Sequence, residues 1–180
     1  RLSGAVISFL GIGFGVALGT RLVLNTLGAA PAVTPTPLAP WTNWGALAVA
    51  AAAFSILLKA DPRDFGWVLL SGTLAFTGTR LGSATLGPEL GAFVGALSVG
   101  IGSNLFARLT RRPAAVPLVP GVLLLVPGSV GFRSIASLID SQVVSGVETA
   151  FKMVLVAIAL VAGLLMANIV VPERKADETG

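Results

Sequence analysis

The chain has 180 residues, 54% of them hydrophobic and only 11% charged, and its mean hydropathy is +0.91. Soluble domains carry roughly 25% charged residues, so this composition describes an integral membrane protein, and the formal net charge of +4 bears on orientation in the bilayer before it suggests nucleic acid. With no Cys, His or Tyr the chain has no disulfide, no thiolate nucleophile and neither of the commonest metal ligands, and no basic cluster stands beside stacking aromatics.

The first charge-free run, Leu2 to Thr20, reads as a helix with Gly11, Gly15 and Gly19 on one face, where a neighbouring backbone can approach closely. A signal peptide cleaved near Gly28-Ala29-Ala30 is the competing reading; the long apolar run and the position of Arg21 favour a retained helix. Asn25 to Asn43 holds Pro31, Pro35, Pro37 and Pro40 without a charge and reads as an outer loop. Trp41 and Trp44 mark a membrane interface, and a second helix runs from there to Leu58. Lys59 to Asp64 is a tight polar turn.

A third helix is expected from Phe65 to about Leu81, with Thr73, Thr77 and Arg80 at i, i+4 and i+7 on one face. Gly82 to Pro88 reads as a turn and Glu89 to Ala107 as the fourth helix. Gly87, Gly91 and Gly95 recur every four residues there, with Ala92, Ala96 and Gly100 one position along. Arg108, Arg111 and Arg112 close it.

From Pro113 to Phe132 twenty residues pass without a charge, about the length needed to cross ~30 Å of hydrocarbon. This run carries two Pro-Gly pairs, Pro120-Gly121 and Pro127-Gly128, and is expected to be a broken helix continuing to about Ile139. A break in lipid survives only inside protein or beside a wet cavity, and transporters use such breaks to aim backbone groups at a substrate. A kinked packing helix is the bland alternative. Ser129, Arg133 and Ser137 follow at i, i+4 and i+8, with Asp140 on the same side. Ser141 to Glu148 reads as a polar connection, and a sixth helix as running from about Thr149 to Val171 with Ala159, Gly163 and Ala167 on one face. Pro172 to Gly180 is a charged tail.

These segments describe an all-α, polytopic membrane helix bundle of about six transmembrane segments, one of them broken. With Arg1 in the cytoplasm, Lys59, Arg63, Arg108, Arg111, Arg112, Arg174 and Lys175 also fall inside, leaving Arg21, Arg80, Arg133 and Lys152 outside. That split follows the positive-inside rule and puts both termini in the cytoplasm. Residues 1–43 form a first helix and outer loop, 44–172 a membrane module, and 173–180 the tail. No internal repeat is evident.

Charged residues within membrane helices are costly and usually have a use. Arg80 either grips a carboxylate or snorkels to the outer surface. Arg133, one and a half turns past the second Pro-Gly, is read equally as a substrate anchor or a structural residue. Glu89 suits the positive end of the fourth helix's dipole and is also a candidate proton carrier. Asp140 is the carboxylate with least structural explanation and the other proton-coupling candidate. Glu148 and Lys152 form an i, i+4 pair in the favourable order.

The double Pro-Gly motif resembles the C-terminal membrane module of the threonine/serine exporter family. The similarity extends to the Asp61-Pro62-Arg63 turn, the Gly72-to-Arg80 helix, the glycine-rich fourth helix, Arg111-Arg112 and the Phe132-Arg133 pair, over roughly Trp44 to Val171. Where the family pattern has Tyr this chain has Phe132, so no hydroxyl role attaches there. The resemblance implies a bacterial inner-membrane exporter of small hydroxy amino acids driven by the proton gradient; related two-part members look to act on small dicarboxylates.

It also implies a partner, an N-terminal module fused upstream or made as a separate chain, with residues 1–30 read as the last helix of that half. On this reading Pro120, Gly121, Pro127, Gly128, Ser129, Arg133, Thr77, Arg80 and Ser137 surround the substrate, Asp140 and Glu89 couple the proton, and no cofactor or metal is needed. The competing classes are a non-transporting subunit or homo-oligomer assembling through glycine faces, and a channel, for which no ring of like charges is present. An enzyme comes last, since neither a nucleophile elbow nor a phosphate loop occurs.

Overall fold

The computed structural model describes residues 2–28, 39, 41–126 and 143–172. Among these the regular structure is all helical: α1 (Leu2–Leu27), α2 (Trp41–Leu57), a 3-10 turn (Pro62–Asp64), α3 (Phe65–Leu86), α4 (Pro88–Thr110), α5 (Ala115–Leu125) and α6 (Val143–Val170). They fall into two compact units, one holding α1 and the first turns of α6 up to Met153, the other holding α2 to α5 and α6 from Val154 onward. Among the described residues two helices are long and apolar enough to cross a membrane, Pro88–Thr110 and Gly146–Val170, with mean hydropathies of 1.6 and 2.7.

Several expected boundaries move. α1 runs through Arg21 to Leu27, since a long exposed side chain on a helix surface does not end it. α3 continues through Gly82 to Leu86, and the turn shrinks to Gly87 at φ 91. Glycine 82 is there for packing, not for turning. Pro88 then starts α4 at a position where its missing N–H has no helical partner to lose. α6 begins at Val143 instead of about Thr149, so the expected polar connection is partly helix, and Lys152 Nζ meets Glu148 Oε1 at 2.7 Å across one turn.

The expected break at Pro120-Gly121 does not occur. Both residues lie inside α5 and are buried. Proline 120 lacks an N–H, so the Val116 carbonyl loses its i+4 donor. One residue on, the Pro117 carbonyl accepts a 2.6 Å bond from Ser71 Oγ of α3, which ties the proline-rich turn to the bundle. α5 ends at Leu125, and Val126 is extended (φ −64, ψ 123), as the residue before a proline prefers. Pro127-Gly128 and the continuation to Ile139 lie outside the described residues.

In the second unit α4 is the central helix, and small residues set its distance from each neighbour. A methyl group built at Gly82 would stand 2.9 Å from the Gly91 Cα, and one at Gly78 3.1 Å from the Gly95 Cα, so α3 and α4 touch backbone to backbone. On its other side, a methyl at Gly163 of α6 would stand 2.5 Å from the Phe93 carbonyl. Gly100 faces Ala167, which is fully buried. Among the described residues the larger side chains that fill the core are few: Phe106, Leu47, Leu160, Val99 and Val68 are buried, and Trp67 meets Phe106 edge to face with ring centroids 4.9 Å apart. At its C-terminal end α4 is stitched to the end of α6. Asn104 Nδ2 donates to Asn168 Oδ1 at 2.8 Å and to the Val171 carbonyl at 2.7 Å, and Arg108 Nη2 donates to the Pro172 carbonyl at 2.8 Å.

Candidate functional site

Toward the opposite end of these helices, a cleft of about 370 Å³ opens among α2, α3, α4 and α5. Its walls are Leu47, Gly72, Ala75, Phe76, Leu124 and Leu125, with Asn43, Thr79 and Arg80 as the polar groups. Trp44 backs Phe76 edge to face, with centroids 5.9 Å apart. Gly72 and Ala75 form the α3 side of the cleft, where Gly72 lets Leu124 and Leu47 close in, and Leu124 and Leu125 come from the last turn of α5. An apolar cavity of this size with a few polar groups is the usual form of a small-molecule site.

Arg80 is exposed and, among the described residues, has no carboxylate partner. Its guanidinium is therefore available to hold a carboxylate through two parallel bonds. Thr77, on the same helix, is not a wall of this cleft; its hydroxyl donates to the Thr73 carbonyl at 2.6 Å, just as Thr73 donates to Leu69 at 2.9 Å. Thr79 differs, since its Oγ1 is buried and has no hydrogen-bond partner. Glu89 lies in the first turn of α4, half-buried, where the helix dipole favours a carboxylate. Pro120 and Gly121 are interior packing residues: a methyl at Gly121 would stand 2.7 Å from Val99 and would collide with Ser71 Oγ. Pro127, Gly128, Ser129, Arg133, Ser137 and Asp140 lie outside the described residues.

Asn43 and Thr79 were not among the residues singled out from sequence. Asn43 sits in a helix's first turn among tryptophans, with nothing in its neighbours to mark it. Thr79 had a readable signal: Gly72, Ala75, Thr79 and Gly82 recur at three- and four-residue steps, one small-residue face of α3.

A second, more polar groove of about 500 Å³ lies where α2 and α4 end, lined by Lys59, Asp61, Asp64, Arg112, Val116 and Val119 among others. Asp61 caps the 3-10 turn by accepting from the Arg63 N–H at 3.0 Å. Asp64 is 2% exposed, and its carboxylate is paired with the Arg112 guanidinium. The pair joins the α2–α3 turn to the α4–α5 turn. No cluster of three or more metal-ligating side chains occurs among the described residues.

Against known proteins, a family model described as "Threonine/Serine exporter, ThrE" matches residues 44–170. No curated protein and no solved structure matches the chain. The matched stretch holds the α3–α4 glycine contact, the Arg80 cleft and the Asp64–Arg112 pair, and on that match the chain belongs to the threonine/serine exporter family.

Proposed function

We propose that this chain is a secondary exporter of small hydroxy amino acids such as threonine and serine, coupled to the proton gradient, or the membrane half of one. The observation that carries this reading is the family match across residues 44–170. It is supported by an outward apolar surface that only lipid or another membrane helix would tolerate: Val49 and Ile56 on α2, Leu105 on α4, and Ile158, Val161, Leu165 and Ile169 on α6 are all exposed. The bundle then crosses a bacterial inner membrane about six times, with both termini and the basic turn at Arg108, Arg111 and Arg112 on the cytoplasmic side.

The cleft supplies the other half of the proposal. A zwitterionic amino acid needs a partner for its carboxylate and an apolar pocket for its carbon skeleton, and Arg80 with Leu47, Phe76 and Leu124 offers both. Further along the chain, Arg133 is the second carboxylate anchor, with the hydroxyls of Ser129 and Ser137 and the amide N–H groups of Gly128 and Ser129 as hydrogen-bonding groups. Glu89 and Asp140 are the carboxylates assigned to proton movement. The exporter module of residues 44–172 works with an N-terminal module, fused or separate.

Uptake of labelled threonine into inverted membrane vesicles, with and without an imposed proton gradient, tests the reading. Gradient-dependent uptake is expected, reduced to background in Arg80→Ala and in Arg133→Ala at normal membrane abundance. The corresponding lysine variants keep the charge but lose the paired bonds, so the half-saturating concentration rises about tenfold. Wild-type vesicles, supplied with the companion module, that take up no threonine or serine under either condition would refute the exporter assignment.

A further inference from the structure

The polar groove of about 500 Å³ at the ends of α2 and α4 takes no part in the exporter reading. Its polar walls are Lys59, Asp61, Asp64 and Arg112, and its apolar walls include Leu58, Val116 and Val119. Leu58, Lys59, Asp61 and Val119 are exposed, so the groove is open to whatever surrounds the bundle. A volume of this order is typical of ligand sites.

Both carboxylates of the groove are engaged within the fold. Asp61 Oδ1 accepts from the Arg63 N–H, and Asp64 is paired with Arg112 Nη1. That pairing fixes the Arg112 guanidinium and leaves its other N–H groups without a partner among the described residues, on a side chain that is 40% exposed. Lys59 has no ion-pair partner among the described residues. Around the groove Lys59, Arg63, Arg108, Arg111 and Arg112 stand against only Asp61 and Asp64, so this end of the second unit carries an excess of positive charge. Lys59 and Arg111 both sit at helix ends with positive φ, 52 and 56, where glycine is the usual residue. Backbone bonds alone close the end of α2, from the Lys59 N–H to the Ile56 carbonyl at 3.1 Å and from the Ala60 N–H to the Ser55 carbonyl at 2.9 Å. Nothing in that turn calls for a lysine.

The apolar wall continues along α5. Val116, Val119 and Leu123 stand at i, i+3 and i+7, one face running ~10 Å along the helix, and Val119 and Leu123 are both exposed. Cations at one end and an exposed apolar track leading away from them match an amphiphile with an anionic head. Basic pockets between membrane helices hold anionic lipid headgroups in this way.

We infer that this groove binds one anionic phospholipid: its phosphate accepts from Lys59 Nζ and from the unpaired N–H groups of Arg112, and an acyl chain lies along Val116, Val119 and Leu123. The Asp64 pairing holds the arginine's planar fork in place for the phosphate, and Lys59 supplies the charge that Asp64 does not offset. The inference rests on the membrane reading of the bundle and not on what the bundle exports.

The test is native mass spectrometry of the full chain in a neutral detergent, which removes the surface potential of a bilayer. Phosphatidylglycerol is titrated against phosphatidylcholine of the same acyl chains and against glycerol 3-phosphate, which has no chains. One phosphatidylglycerol is expected to bind about tenfold more tightly than phosphatidylcholine, with no glycerol 3-phosphate retained at the same concentration. Lys59→Gly should weaken phosphatidylglycerol binding about tenfold, while the lipid-free protein melts no lower than the wild type because glycine accepts the left-handed turn. Val119→Trp should weaken binding likewise by filling the apolar end. Arg111→Gly removes the same charge from the same backbone conformation outside the groove, and should change binding by less than about twofold. Equal losses in Lys59→Gly and Arg111→Gly would mean that any cation at this end suffices, and would overturn the site. Phosphatidylcholine or glycerol 3-phosphate binding as tightly as phosphatidylglycerol would overturn it too. A chain that alkali releases from membranes without detergent overturns the membrane reading together with the site.

Discussion

The Asp64–Arg112 pair allows a direct test of how the two turns at one end of the second unit are held together. Asp64 occupies the N-cap position of α3 but makes no side-chain cap bond, so changing it reports on the ion pair and not on helix capping. The Asp64 side chain is 3% exposed, whereas the Arg112 side chain is 40% exposed. Removing one partner of a fully buried pair costs about 3–5 kcal/mol, because the remaining charge is stranded. Water reaches Arg112 and screens the pair, which lowers the expected cost of Arg112→Met to about 2–3 kcal/mol.

For a chain of this size about 1 kcal/mol shifts the melting temperature by ~2–4 °C, so Arg112→Met should melt ~4–12 °C below the wild type. Asp64→Asn/Arg112→Met strands no charge and should recover most of that loss. Thermal unfolding of the purified protein in detergent, run as a double-mutant cycle, measures the coupling. If Arg112→Met melts within about 1 °C of the wild type, or if the two changes simply add, the pair is a surface contact and the argument from Asp64 burial is wrong.

Glycine substitutions separate packing glycines from idle ones. Gly163→Ala pushes a methyl into the Phe93 carbonyl and should destabilise by about 1–3 kcal/mol in the same melting assay, whereas Gly45 of α2 has open space around its Cα, and Gly45→Ala should stabilise by up to ~1 kcal/mol. Equal effects at the two positions would refute the close α4–α6 contact. Topology is open to cysteine labelling, because the chain has no Cys of its own. Thr34→Cys and Ser145→Cys should react with an impermeant reagent added outside intact cells and Ala115→Cys should not; Ala115 suits the inner position better than Ala114, which is 2% exposed and unreactive for that reason alone. Labelling of Ala115→Cys from outside would overturn the six-crossing arrangement.

Composition and local chemistry were enough to read the helical class, the order of the described elements and the packing glycines of α4 and α6, whereas the Gly11, Gly15 and Gly19 face of α1 meets no described neighbour within 4 Å and Gly87 is a turn residue at φ 91. Those properties depend on residues close in sequence: apolar runs long enough to bury a helix, a proline at a first turn, small residues at four-residue steps. Helix ends were harder to read. Gly82 looks like a breaker from its neighbours, yet it stays helical because the Gly91 backbone packs where its side chain would be. Pro120 likewise looks like a break. It sits inside α5, whose proline-rich turn is held by the Ser71 hydroxyl, a partner 46 residues from Pro117 that no local pattern announces.

The candidate site divides the same way. Arg80 was legible because a cation in an apolar helix is costly enough to stand out alone. Thr79 and Asn43 carry no such cost in isolation, and four helices must meet before both border one apolar cleft with Arg80. Asp64 and Arg112 are ordinary turn residues in sequence and become a buried pair only when two distant turns close on each other. The sequence by itself determined what each helix is made of and which faces are small. Only the tertiary structure decided which polar groups lose water together, because desolvation depends on neighbours that the chain brings in from far away.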